Sequence, residues 1–369
     1  MPTTRRLAPS FLPATAVLEM TYRCNHACLF CSCPWLDPDN DFDLRPELPV
    51  EAWKQAVSRL GEMGCTIFAF TGGEALLKPG LLELIEHTAG LEVEHVETEE
   101  GELRTRLGPP KLYLLSNGKL MSDEVLRFCA RHDVHLSLSL PGMTTFGEHT
   151  QGSTTTADIL GWFRRAADLG VETTAGVTVT ALNIDELYET LAEALLAGAG
   201  DILLNRFLPG GRGLQHADRL SLPPEDIPRM LDIAEDVLQT AKRWGNVGTE
   251  LPKCLFDPSR YERLTVGTRC AAARDFFVID PSGYVRVCNH SPVRLVHLDD
   301  IDTLPDHPEW QRFVFKDYLP AACAGCPISL DCDGGCREAA RVVTGQPNGV
   351  DPALAKKAPN KAYLRPALG

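Results

Sequence analysis

Cys24, Cys28 and Cys31 stand as C-x-x-x-C-x-x-C in the stretch "YRCNHACLFC". Three thiolates in eight residues are one donor short of a tetrahedral zinc site. They are the number that holds three irons of a [4Fe–4S] cube and leaves the fourth iron free for another ligand. Zinc would need Cys33 or His26 to complete it. A second group lies far downstream. Cys254 and Cys270 come first, then Gly283 and Cys288, then C-x-x-C-x-x-x-x-x-C-x-x-x-C from Cys323 through Cys326 and Cys332 to Cys336. The segment "FFVIDPSGYVRVC" predicts a β-hairpin turning at Pro281-Ser282-Gly283 and presenting a thiolate at its end. So many clustered thiolates exceed one metal site and suit two iron–sulfur clusters or structural zincs. Cys65 and Cys129 fall within a predicted strand start and helix, as inert core residues do.

These groups need a scaffold, and 369 residues allow one large domain with a smaller one. The formal net charge of −14 supplies no basic footprint for nucleic acid or an anionic membrane. No apolar run reaches the roughly 20 residues of a membrane span. The N-terminus has no continuous apolar stretch with a cleavage site, so no signal peptide is read. Thirteen cysteines without an export signal suggest metal rather than disulfides, and a reducing cytoplasm.

From about residue 14 to 212, short apolar runs alternate with helical periodicity, the pattern of β/α units on a parallel sheet. Six strands are predicted: Ala16–Met20, Thr66–Phe70, Leu112–Leu115, His135–Leu140, Thr174–Thr180 and Asp201–Phe207. Between them, Trp53, Ala56, Leu60 and Met63 mark one helical face. Asn183 with Glu186 reads as a capping box before a helix striped by Leu187, Leu191 and Leu195. Six units make a partial (β/α)6 barrel of the TIM type, whose chemistry belongs at the strands' C-terminal ends. Those ends carry the cysteine loop, Gly72-Gly73-Glu74, Ser116-Asn117, Ser139 and Asn205-Arg206. Residues 213–252 read as a helical linker, and 253–369 as a small cysteine-rich domain. Residues 91–107 read either as an inserted hairpin turning at Glu99-Glu100-Gly101 or as a solvated loop. In the hairpin, Glu92 and Glu94 on one arm would face Arg104 and Arg106 on the other.

The cysteine triad, with the aromatic Phe30 before its third member, resembles the signature of radical S-adenosylmethionine (SAM) enzymes. The downstream set resembles their C-terminal SPASM extension, and together the likeness spans nearly the whole chain. It implies that SAM chelates the open iron and is cleaved by one electron to methionine and a 5′-deoxyadenosyl radical, which abstracts hydrogen from a substrate. It also implies that Gly72, Gly73 and Glu74 meet the SAM amino group, and that Ser116, Asn117 and Ser139 line its pocket. Two auxiliary [4Fe–4S] clusters would follow. Cys270, Cys288 and Cys336 would hold the first, with Cys254 as fourth ligand, and Cys323, Cys326 and Cys332 the second.

The SPASM pattern usually ends in one more cysteine, and none follows Cys336. The second cluster would then have an open iron or an oxygen ligand such as Asp351. Alternatively Cys336 closes it, leaving Cys254, Cys270 and Cys288 as a three-ligand set. The substrate class most common in the group is a ribosomally made peptide, docked directly or through a separate recognition partner, with a reductase, flavodoxin or ferredoxin as electron donor. Other members act on sulfatases or small molecules such as tetrapyrrole precursors. A non-catalytic iron–sulfur carrier is the reading from outside the enzymes, and a carrier needs no open iron.

Overall fold

The computed structural model describes residues 11–37, 42–99 and 102–354. Twelve strands are present among them. They are β1 (Thr15–Glu19), β2 (Ile67–Thr71), β3 (Val93–Glu99), β4 (Glu102–Gly108), β5 (Lys111–Ser116), β6 (Val134–Ser139), β7 (Thr173–Val179), β8 (Asp201–Arg206), β9 (Gly245–Val247), β10 (Leu264–Val266), β11 (Phe276–Ile279) and β12 (Val285–Arg286). The six predicted strands correspond to β1, β2, β5, β6, β7 and β8. Alternating apolar residues specify them: Leu112 and Leu114, Leu136 and Leu138, and Ala175 and Val177 are buried while their neighbours are less so.

Ten strands form one sheet in the order β10-β9-β8-β7-β6-β5-β2-β1-β11-β12. All pairs are parallel except β11 with β12. Two additions to the expected six-unit barrel come from beyond residue 212. β9 and β10 extend the sheet past β8, and β11 lies parallel against β1, with Thr15 opposite Phe276. The segment expected as a linker therefore contributes β9, and its helix Asp226–Ala241 buries Ile227, Met230, Leu231, Ala234 and Leu238 in the main core.

Helices cover the sheet. Val50–Glu62 buries Trp53, Ala56, Val57 and Leu60, the face its periodicity predicts. The expected capping box at Asn183 and Glu186 does not form. Asn183 accepts from the Thr180 amide at 2.8 Å and donates to the Pro141 and Thr178 carbonyls. Glu186 accepts from the amides of Met143, Thr144 and Thr145, so the pair staples the loop after β6 to the end of β7. Backbone amides left unpaired by a sharp loop compete for the same side chains a helix start would use.

Residues 93–108 form the hairpin, a separate two-stranded sheet. Its register differs from the charge-paired expectation: Arg106 lies opposite His95, Arg104 opposite Glu97, and Glu94 opposite Leu107. The turn residues Glu100 and Gly101 lie outside the described residues. The hairpin joins the helix Leu81–Ala89 to the start of β5, at the sheet's N-terminal end.

Candidate functional site

Thr71, Leu115, Ser139, Thr178 and Asn205, from five neighbouring strands, all face one cavity of about 450 Å³. The sheet curls around it, and the cysteine loop after β1 closes one side. Cys24, Cys28 and Cys31 all border this space. The loop is held from several directions. The Ala27 amide donates to the Thr150 carbonyl and the Leu29 amide to that of His149, while Gly213 donates to the Cys31 carbonyl. Trp35 Nε1 donates to the Tyr22 carbonyl at 3.1 Å. Phe30 packs on His149 with ring centroids 5.9 Å apart. A side chain at Gly211 (φ +50°) would strike the Cys33 carbonyl at 2.4 Å, so only glycine lets the two loops meet.

The thiols differ in acidity. Burial raises Cys24 and Cys28 above the ordinary thiol range. Cys33 shares its proton with Cys31, which lowers Cys31 and raises Cys33. Cys33 is thus a hydrogen-bond partner of the triad. Cys65 and Cys129 are buried in the core, and desolvation pushes each up to about 12.

Beside the cysteines, the turn after β2 lies against the start of the loop after β1. The Gly73 amide donates to the Thr21 carbonyl at 2.8 Å and the Glu74 amide to Arg23 at 2.9 Å. A Cβ at Gly73 would sit 2.2 Å from the Arg23 carbonyl oxygen. Among the described residues the Gly72 and Gly73 carbonyls accept no hydrogen bond, which leaves two acceptors at the cavity wall.

Glu74 does something the sequence did not reveal. Its carboxylate is buried, and burial raises its pKa. It accepts from the Leu76 amide, from Ser116 Oγ at 2.9 Å and from the Asn117 amide at 2.8 Å. It fixes the turn after β5, and the Ser116 hydroxyl is committed to it. Asn117 Nδ2 reaches Asn25 Oδ1 at 2.8 Å and Cys24 Sγ at 3.8 Å. Ser139 is exposed toward the cavity.

The far wall of the same cavity carries Cys270, Cys288 and Cys336. Burial drives all three thiols up, Cys336 to about 12. Arg206, Glu250, His290 and Glu338 lie beside them. Of these the sequence reading flagged only Arg206, as part of the β8 end. His290 had a signal, standing two residues after Cys288, whereas Glu250 follows a three-residue strand too short to read. Cys254, Cys323, Cys326 and Cys332 do not border the cavity. The chain from Pro252 folds back over residues 332–335, and the Lys253 amide donates to Cys332 Sγ at 3.4 Å. Asp351, offered as an oxygen ligand, accepts with its Oδ2 from Arg206 and the Cys336 amide, each at 2.6 Å, and with its Oδ1 from the Ala353 amide.

Among the described residues no three His, Cys, Asp or Glu side chains close around a single ion. A cube distributes its ligands over several irons, so its thiolates need only face a common space. The triad meets that condition, and the free Gly72 and Gly73 carbonyls beside it suit an ammonium group. No helix among the described residues is long and apolar enough to cross a membrane.

Residues 18–194 match the Radical SAM superfamily. The chain is 26% identical over 364 residues to a PqqA peptide cyclase of Xanthomonas campestris pv. campestris, covering 96% of this chain and 89% of that protein. A PqqA peptide cyclase of Gluconobacter oxydans is 25% identical over 350 residues, covering 92% and 90%. Among solved structures, the fold is similar to that of Streptococcus suis SuiB bound to S-adenosylmethionine, with a TM-score of 0.67 at 14% identity over 92% of this chain and 76% of that one. It is also similar to anSMEcpe with bound AdoMet and Cp18Cys peptide, with a TM-score of 0.61 at 18% identity over 95% and 94%.

Proposed function

Residues 18–194 of this chain belong to the radical SAM superfamily, and from that premise we propose that the protein is a radical SAM enzyme that modifies a ribosomally made peptide. The observation that carries the reading is the single cavity bordered at one end by Cys24, Cys28 and Cys31 and at the other by Cys270, Cys288 and Cys336. The similarity to PqqA peptide cyclases over 96% of the chain supports the peptide.

Cys24, Cys28 and Cys31 would hold a [4Fe–4S] cluster, and the cavity beside them would take SAM. When bound, cluster and SAM together supply an electron and a 5′-deoxyadenosyl radical that takes hydrogen from the substrate. The chain's own residues do the positioning. The Gly72 and Gly73 carbonyls would accept the SAM ammonium, and Ser139 and Asn117 would border the remainder of its pocket. Glu74 keeps the Asn117 turn in place. The sheet around the cavity would help shield the reacting carbon from bulk water, as radical chemistry requires. The C-terminal thiols would hold two auxiliary clusters. The outer one is nearer solvent, since Cys254 is exposed, and would receive electrons from a flavodoxin, ferredoxin or reductase in a reducing cytoplasm.

The test uses anaerobically reconstituted protein with dithionite, SAM and the short peptide encoded beside its gene. Expected products are 5′-deoxyadenosine and a peptide lighter by two hydrogens. Replacing Cys24, Cys28 and Cys31 together by Ala should remove about four irons and stop SAM cleavage. Cleavage that persists in that variant would overturn the assignment, and an unchanged peptide beside normal cleavage would redirect the substrate to a sulfatase or a small molecule.

A further inference from the structure

The seven C-terminal cysteines divide four and three in space, and sequence order does not predict the division. Cys270, Cys288 and Cys336 face the cavity. The other set assembles around Cys332, whose sulfur accepts from two amides: Lys253 at 3.4 Å and Gly334 at 3.3 Å. The first of these brings the residue next to Cys254 onto Cys332 across 79 positions of sequence.

The approach is fixed by two glycines. A Cβ on Gly335 (φ +89°) would lie 2.9 Å from Pro252 Cγ, and one on Gly334 (φ +75°) would lie 3.4 Å from Cys323 Sγ. Pro252 thus seats the Lys253–Leu255 turn directly over the 332–335 loop. Cys332, Cys323 and Cys326 are thiols neighbouring Cys254, while Cys270 and Cys288 have Cys336 as a neighbouring thiol.

We propose that Cys254 is the fourth ligand of the cluster held by Cys323, Cys326 and Cys332, leaving the cluster at Cys270, Cys288 and Cys336 with three thiolates and its fourth position toward the cavity. An upstream residue then takes the place that a downstream cysteine usually fills. Cys24, Cys28, Cys31 and Cys33 belong to the first loop, and Cys65 and Cys129 are buried in the core. The inner cluster's remaining position would go to a non-cysteine group or to substrate. The two N–H···S contacts at Cys332 would shift the outer cluster's potential relative to the inner one, because hydrogen bonds to sulfur tune such clusters.

The inference rests on the reading that two auxiliary clusters are present. The protein with Cys24, Cys28 and Cys31 replaced by Ala tests that reading: about eight irons are expected, two cubes' worth, and a chain without iron would overturn it. Adding Cys270→Ala, Cys288→Ala and Cys336→Ala then isolates the outer cluster. In that background, Cys254→Ala should change the cluster's paramagnetic resonance spectrum and yield a [3Fe–4S] signal on mild oxidation. Cys254→Asp, with an oxygen donor at the same exposed position, should retain four irons with shifted g-values. An outer-cluster spectrum identical with and without Cys254 would overturn the proposal, as would a Cys254→Ala change that, in the protein keeping Cys270, Cys288 and Cys336, is confined to the cluster they hold.

Discussion

Arg286 on β12 donates to Glu19 on β1, and both side chains are buried. The same guanidinium donates to the Asn289 carbonyl at 3.1 Å and to that of Ser291 at 2.7 Å. One cation thereby ties the strand that launches the Cys24 loop to the loop that follows Cys288. Burial raises the Glu19 carboxyl, and Arg286 offsets that only in part. Glu19→Ala would leave Arg286 buried and unpaired. We expect a loss of about 3–5 kcal/mol in unfolding free energy, read by denaturant titration under anaerobic conditions. A loss below about 1 kcal/mol would show that water reaches Arg286.

Glu74 should act on the proposed SAM pocket through the turn it holds. Glu74→Gln places an amide N–H against the Asn117 amide or the Ser116 hydroxyl, so one buried donor goes unsatisfied at a cost of about 1–3 kcal/mol. SAM affinity of the loaded protein should fall about tenfold or more by calorimetry, with iron content unchanged. Unaltered affinity would mean that the turn holds its shape unaided.

The cysteine loop should loosen in acid. The His149 Nδ1 lies 2.9 Å from the Thr145 carbonyl, so that nitrogen carries the proton, and Nε2 accepts from the Thr180 hydroxyl at 2.8 Å. Burial lowers the pKa of His149, and also of His26, which bonds Thr154. The unfolded chain protonates these rings near pH 6.5 while the folded chain does not. Protons therefore favour the unfolded state, and stability present above about pH 6.5 is lost as pH falls below it. The thermal midpoint should drop between pH 7.5 and 5.5, and His149→Gln should flatten that slope. An equal slope in both proteins would place the effect elsewhere.

Removing the hairpin should spare the chemistry. It stands at the sheet's N-terminal end, across the sheet from the cysteine loop. Replacing residues 92–107 by a short linker should leave substrate-free 5′-deoxyadenosine formation within about twofold of the parent, because the change lies beyond the reach of direct contacts. Loss of cleavage in a folded, fully loaded deletion would contradict this placement.

The six central strands were legible because burial on a curved parallel sheet imposes an alternation that Leu112-Tyr113-Leu114 or Val177-Thr178-Val179 displays openly. The rim was legible for the same reason: polar and glycine residues followed every strand. The sheet's margins were not. β9 and β10 have three residues each and β12 two, too short for any period to emerge. Phe276–Ile279 read correctly as a strand, yet nothing local announces that its neighbour is β1. The approach of the Pro252–Lys253 turn to Cys332 was hidden likewise, since spacing counts thiols without saying which segments meet. Glu186 and Asn183 misled because a loop borrowed the groups a helix start would have used.

Thr15 on β1 takes Phe276 as its partner, and this has a consequence for how the chain is made. During synthesis the nascent N-terminal half presents β1 as a raw edge until the ribosome has delivered β11 some two-thirds of a chain later. Such edges recruit foreign strands. A polypeptide cut before Phe276 should therefore aggregate rather than survive as a free-standing half, and cells short of chaperones should lose the nascent protein before its iron is ever installed.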